Sequence, residues 1–386
     1  MKRLSVLFVN SWYPNEVLSQ NGNFIQQHAR AVSIYCKVAA IHVQSNNQKE
    51  RIKISKGYNK DVYEVIVYYK RIKLNSVLAS LIKKRRQHKA YLSGYRQVLK
   101  EFKRIDIVHL NVVLPAGFFA LYLKKTFNIP FIVTEHSTIY LKSNPSNHGL
   151  IEKYIVKKII GKASFICPVS KDLKNALEKY GIKGRFQIIP NVVDTNLFQF
   201  NINKKLKTIN ILHVSSLVEE QKNIKGILNV IKKLSEMRTN FTFQIIGDGH
   251  IQSVKEYAQK IKLENKFYNF TGQKPLEKIA EAMKGSHLFI MFSNYENLPC
   301  VIAESLVSGL PVLSSNVGGI DEMISKENGI LVAARNENEL LRALYKLLNN
   351  TANYNGEKIA TNAISKYSYE IVGKQFLNLY NKTLKY

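Results

Sequence analysis

The stretch SNYENLPCVIAESLVSGLPV, residues 293–312, decides how the chain is read. An apolar run, HLFIMFS (287–293), leads into it, and a second, LPVLSS (310–315), closes it. The first run predicts a buried strand and residues 294–298 a loop. Pro299 suits the first position of a helix, where its missing N–H would be unpaired anyway. Gly309 ends that helix, and Pro311 enters the next strand. Glu296 thus falls at a strand's carboxyl end beside a helix N-terminus. Glu304, eight residues on, falls in the helix's second turn. Free amides at such a terminus hold anions. Flanking carboxylates suit a ligand that carries phosphates and hydroxyls together.

The same strand–helix alternation extends outward in both directions. Runs at 209–217, 241–249, 267–272, 287–293, 310–315 and 329–334 read as strands separated by helical patterns. An earlier set, 4–10, 38–44, 107–111, 130–136, 165–170 and 186–191, repeats the scheme, with helical stretches such as 24–35 and 116–127. Apolar strands alternating with helices imply βαβ units and parallel sheets covered on both faces. The polar segment FQFNINKKLKT marks a linker at 198–208. The expected fold is therefore α/β, two Rossmann-like doubly wound domains facing each other across a cleft. The first domain covers 1–197 and the second 209–365. A last helix at 366–386, with apolar residues at helical spacing, packs back on the first domain. Ligands of such sheets sit at the carboxyl ends of the strands.

Charge is distributed unevenly. The formal net charge is +29, yet residues 1–200 carry 33 Lys+Arg against 11 Asp+Glu, and residues 201–386 carry 24 against 17. A field that lopsided suggests an anionic partner for the first half. Residues 74–104 form an amphipathic helical pattern, its apolar stripe interrupted by Lys83, Lys84, Arg85, Arg86 and Lys89. Such a surface fits an anionic membrane. Nowhere do about 18 apolar residues run together, so no spanning helix is expected. The apolar part of MKRLSVLFVNSWYP is short, and no small-residue cleavage site follows, so it reads as a first strand. Three scattered cysteines, Cys36, Cys167 and Cys300, form no zinc or disulfide framework and point to a reducing cytoplasm. With a basic first half, the expected location is cytoplasmic, at the inner face of the cell membrane.

The pattern E-N-L-P-x-x-x-x-E-S-L-x-x-G-L-P-V, followed by GGIDEMI (318–324), resembles the family-4 retaining glycosyltransferases of the two-domain GT-B fold. The resemblance implies a nucleotide-sugar donor, no metal cofactor and activity in chelator. It implies that Glu296 binds hydroxyls of the donor sugar and Glu304 the ribose, with Asn297 and Leu298 in the same donor loop. It places Lys222 on the diphosphate, with Lys225 a weaker candidate. It also exposes a departure, because Ser216 stands where the family usually has arginine. Gly247 in IIGDG matches a glycine turn near the nucleotide base, although a plain βα turn needs glycine too. Gly22 matches a loop that approaches the diphosphate and acceptor, and a loop glycine explains it equally. His136 in IVTEHST matches a position beside the transferred sugar and the acceptor. His28 and His109 read as structural, and Glu135, on the opposite strand face from His136, is left out.

The function expected is transfer of a sugar to a glycan or polyprenyl-diphosphate-linked acceptor, in capsule, O-antigen or similar polysaccharide assembly. Charge alone would also fit a non-catalytic nucleic-acid-binding protein, but no RNA-binding aromatic motif, zinc finger or basic zipper is present, so no nucleic-acid partner is expected. A nearer alternative keeps the fold and changes the reaction, to a nucleotide-sugar epimerase or a glycogen-type synthase.

Overall fold

The computed structural model describes residues 3–47, 50–72, 76–141, 144, 149–201, 208–249, 251–349 and 354–385. The first half runs β1 (Ser5–Asn10), α1 (Asn23–Ser33), β2 (Lys37–Asn46), β3 (Ile52–Asn59), β4 (Val62–Lys70), α2 (Val77–Phe102), β5 (Ile107–Asn111), α3 (Gly117–Phe127), β6 (Phe131–Glu135), α4 (Leu150–Ile160), β7 (Ile166–Pro168) and α5 (Lys171–Lys179). Its sheet has the order β3-β4-β2-β1-β5-β6-β7, parallel except for the β3–β4 pair. Successive residues of β1 split between two cores. Leu7 and Val9 join one, while Val6 and Phe8 join the other. A strand buried on both faces must be apolar throughout, and SVLFVN nearly is.

The second half runs β8 (Ile209–Ser215), α6 (Glu219–Lys222), α7 (Ile224–Met237), β9 (Phe241–Gly247), α8 (Ile251–Lys260), β10 (Tyr268–Phe270), α9 (Leu276–Gly285), β11 (Leu288–Met291), α10 (Cys300–Val307), β12 (Val312–Ser315), β13 (Gly329–Val332), α11 (Glu337–Asn349), α12 (Gly356–Tyr367) and α13 (Tyr369–Leu384). Its sheet is all parallel, ordered β10-β9-β8-β11-β12-β13. Counted within the half, that order is 3-2-1-4-5-6, the doubly wound arrangement whose switch point lies between its first and fourth strands. Here those strands are β8 and β11.

Two local expectations are corrected. The hairpin β3–β4 has no counterpart in the sequence reading. β3 is a solvated edge strand, and its polar IKISKGYN reads as a turn region; lysines on such an edge discourage further pairing. Residues 186–191 are not a regular strand. They hydrogen-bond along β7, yet bridge it only at Phe186 with Ile166, and Pro190 supplies no N–H. Part of the expected linker, 202–207, and the predicted helix start at Leu74 lie outside the described residues. α13 packs on α1, with Tyr35 donating to the Glu370 carbonyl at 3.1 Å. Tyr380 of α13 reaches His109 at 2.7 Å.

Candidate active site

The carboxyl ends of β8 and β11 face the carboxyl end of β6 across a cleft of about 390 Å³. Asn23, Phe24, His136 and Asn191 line it from the first half, and Ser216, Lys222, Glu296 and Glu304 from the second. The position is the switch point of the second sheet, where the loops after β8 and β11 part in opposite directions.

Lys222 reaches the cleft because the chain after β8 folds into one short helical turn. Leu217 and Asn223 flank that turn at φ 52° and 49°, left-handed values unusual for residues other than glycine. The Ser215 hydroxyl secures the entry by accepting from Leu217 N at 3.1 Å. Buried Lys222 then donates to Glu296 Oε1 at 2.5 Å. The Ser293 hydroxyl donates to the same oxygen at 2.8 Å, and Gln221 to the other at 3.4 Å. Glu296 is only 5% exposed. Removing either partner would strand a buried charge.

GGIDEMI forms the backing of this loop. Gly318 has φ 58°, and a Cβ there would lie 2.0 Å from the Glu296 carbonyl oxygen. Gly319 N donates to the Asn297 carbonyl at 2.9 Å. Glu322 extends across to the first half, accepting from Lys171 N and Asp172 N at 2.9 and 3.0 Å. Those are free amides of the α5 N-terminus, where a carboxylate is favoured.

Glu304 lies half-buried on α10. Loss of water lifts its carboxyl from the ordinary 4.5 to about 7. Pro299 corrects one detail: with ψ 121° it is the N-cap of α10, and Cys300 opens the helix.

His136 follows β6 and is 8% exposed. Its ring lies 4.6 Å from Phe24 and 5.5 Å from His28. Its ring nitrogens and the Asn191 amide oxygen lack a well-formed hydrogen bond among the described residues, although the Asn191 side chain lies close enough to favour the imidazolium slightly. Burial first, then the nearby His28 and His109, hold the imidazole well below its ordinary pKa, so it is neutral. Glu135 sets the turn beneath it. Its buried carboxylate accepts from Val113 N at 2.9 Å, His136 N at 3.1 Å and the Tyr140 hydroxyl at 3.1 Å. His109 is bonded on both ring nitrogens, to Tyr380 and Thr134. His28 bonds the Pro190 carbonyl, and burial lowers its pKa to about 4.

The remaining candidates fall in differing places. Asn297 and Leu298 line the cleft, but both tie the halves together. Asn297 donates to the His136 carbonyl at 3.0 Å and accepts from Ser170 at 3.0 Å, while the Leu298 carbonyl accepts from Asn191 at 2.6 Å. Gly22 caps α1 at φ 69°, one residue before the cleft-lining Asn23. Gly247 ends β9, and a Cβ there would meet the Ser215 carbonyl oxygen at 2.1 Å, so packing alone requires glycine. Lys225 sits over the Tyr257 ring at 5.4 Å, outside the cleft lining. Among the described residues that line the cleft, Lys222 is the one cation. Sequence reading passed over Ser170, Asn191 and Ser293. Ser170 did carry a signal, standing before an apolar-periodic segment as an N-cap does.

Comparison with known proteins agrees with this fold. Residues 54–197 match the model described as Glycosyltransferase Family 4, and residues 194–369 the model described as Glycosyl transferases group 1. The putative teichuronic acid biosynthesis glycosyltransferase TuaC of Bacillus subtilis is 24% identical over 294 residues, 72% of this chain and 70% of that one. The sucrose-phosphate synthase structure from Thermosynechococcus elongatus superposes with a TM-score of 0.78 at 17% identity, covering 98% of this chain and 99% of that one. The Anabaena protein HepE in complex with UDP and glucose gives 0.71 at 15% identity, covering 98% and 99%. At such identities the structural likeness speaks for the fold.

Proposed function

Since the chain belongs to the family-4 glycosyltransferases of the GT-B fold, we propose that it transfers a sugar, with retention of anomeric configuration and without a metal, from a nucleotide-sugar donor to a glycan or lipid-linked glycan acceptor. One observation carries this reading. Glu296, Glu304 and Lys222 converge with the N-terminus of α10 on a single cleft, and His136 enters it from the opposite sheet.

In this reading Glu304 takes the ribose hydroxyls and the α10 amides take the diphosphate. A diphosphate would share the Lys222 ammonium that now rests on Glu296. Glu296 then aligns the sugar hydroxyls. The bond from the anomeric carbon to the diphosphate oxygen breaks, and the acceptor oxygen bonds to that carbon from the same face. The acceptor proton passes to the departing phosphate. Lys222 and the helix amides stabilise the charge that develops there. Neutral His136, which lines the cleft, hydrogen-bonds the sugar or orients the acceptor.

Support for the donor class comes from HepE, solved with UDP and glucose. Support for polysaccharide assembly comes from the teichuronic acid relative. The basic first half supports an acceptor held at an anionic membrane face. Among the described residues, no helix is long and apolar enough to cross a membrane.

The test is a thermal-shift panel of UDP, GDP, ADP and their sugars, followed by product analysis with the stabilising donor. One nucleotide should raise the melting temperature, because a ligand bound to the folded state alone stabilises it by mass action. No stabilisation by any member, with no turnover, would sink the reading.

A further inference from the structure

α2 is longer than the sheet it covers. Its 26 residues span about 39 Å, whereas β2 and β4, on which it packs, have ten and nine residues and span about 33 and 30 Å. Tyr91, midway along α2, donates to the Asn10 carbonyl at the carboxyl end of β1, at 3.2 Å. The turns before Tyr91 therefore overhang the edge of the sheet on which His136 sits.

Beneath this overhang a cavity of about 640 Å³ opens between α2 and the start of α3. Its cations are Lys84, Arg85 and Lys89, and no carboxylate lines it. Among the described residues none of the three forms an ion pair. The opposing wall is aromatic. Tyr91 stacks on Phe119 at 5.0 Å, and the Lys84 ammonium lies 5.9 Å from the Phe118 ring. Leu81 and Phe118 stand 56% and 42% exposed nearby.

These features together select an amphiphilic anion. A merely solvated basic helix needs no aromatic-walled cavity, and an apolar ligand needs no cations. A flat anionic bilayer would be met by a flat basic surface, whereas this is a concavity sized for part of one molecule. Its position also matters. Pro115 lines the cavity, and two residues earlier Val113 N is bound by Glu135, which immediately precedes His136. β1, β5 and β6 are adjacent, so the cavity wall and the turn that carries His136 follow neighbouring strand ends.

We infer that this cavity seats the diphosphate and first hydrocarbon units of a lipid-linked acceptor whose sugar end reaches His136. The inference rests on the glycosyl-transfer reading of the cleft, and its test separates the two.

The full chain is titrated with farnesyl diphosphate, farnesol and inorganic diphosphate by calorimetry, in parallel with nucleotide thermal shifts and flotation on phosphatidylglycerol vesicles. Farnesyl diphosphate should bind saturably, one per chain, at least tenfold more tightly than farnesol. A Lys84→Gln/Arg85→Gln/Lys89→Gln variant, altered only at exposed positions, should lose at least tenfold of that affinity and keep its nucleotide stabilisation. Phe118→Ser should weaken farnesyl diphosphate while leaving inorganic diphosphate unaffected. The inference is overturned if farnesyl diphosphate does not bind, or if farnesol binds as well. It is equally overturned if Lys222→Met, and not the triple variant, abolishes binding, or if the triple variant changes only vesicle flotation. Nucleotide-sugar turnover without farnesyl diphosphate binding refutes the cavity alone. Cavity-dependent binding with no nucleotide effect supports the cavity and refutes the transfer reading.

Discussion

Glu304→Gln separates two consequences of one half-buried carboxyl. In the folded chain its pKa is about 7, against an ordinary 4.5. The folded state therefore holds a proton that the unfolded chain releases between those values, and stability falls as pH rises through that window. Holding that proton between 4.5 and about 7 is worth about 3 kcal/mol as an upper bound. Because the carboxyl borders an open cleft, solvent screening brings the expected effect nearer 2 kcal/mol. Glutamine keeps the shape and has no charge to desolvate. Urea midpoints at pH 4, 5.5, 7 and 8 should therefore coincide for the two proteins at pH 4 and diverge in favour of Glu304→Gln by pH 8. The comparison is made on the transition that shifts with nucleotide. The same variant should weaken nucleotide binding by about ten- to a hundredfold, the worth of a hydrogen bond to a charged acceptor. A stability difference that is the same at all four pH values would refute the burial argument. Unchanged nucleotide affinity would refute the ribose role.

Lys222→Met should lower turnover by about 10² to 10³, as removal of one group stabilising developing charge does. It should also destabilise the fold by about 3 kcal/mol, because Glu296 is left buried and uncompensated, and adding Glu296→Gln should recover part of that loss without restoring turnover. His136→Ala should reduce turnover, while the wild-type pH–rate profile should show no imidazole limb between pH 6 and 7, since the ring is held neutral well below its ordinary range; a limb there that disappears in the variant would contradict the placement. Gly318→Ala should abolish donor stabilisation in the thermal-shift assay, because its Cβ would collide with the Glu296 carbonyl at 2.0 Å and its φ is positive. Turnover in EDTA should equal turnover in buffer; loss in EDTA with recovery in Mg²⁺ would remove the metal-free mechanism.

Much of the fold was legible because both sheets are buried on both faces. Such strands must be apolar runs, and runs like HLFIMFS and LPVLSS stand out between helical patterns. What stayed hidden was the hairpin at the solvated edge, where β3 alternates too weakly to signal a buried face. The site shows the same division. Glu296 was visible as a charged residue at a strand end beside a helix start and Glu304 inside that helix, while Lys222 was marked only by its place in the family resemblance. Their pairing was not, since the Lys222–Glu296 contact joins residues 74 apart along the chain and depends on two left-handed turns at Leu217 and Asn223.

Asn297 makes the sharpest case for what a linear motif conceals. In the string ENLP it sits between the sugar-binding candidate and the helix, and reads as a further ligand group. In the fold its amide spans from the Ser170 hydroxyl to the His136 carbonyl, and its own carbonyl is held by Gly319 N. A side chain engaged at both ends has little left to offer a donor. What it supplies is registration, since it fixes the loop that carries Glu296 against the turn that carries His136. Asn191 adds a second tie, to the Leu298 carbonyl, and Glu322 a third, to the α5 amides. Catalysis across two sheets requires groups from each to meet within fractions of an ångström, and misplacement of about 1 Å can cost a hundredfold in rate. The short polar residues of this motif are therefore explained by alignment of the halves, which leaves the carboxylates and the lysine for the chemistry proposed between them.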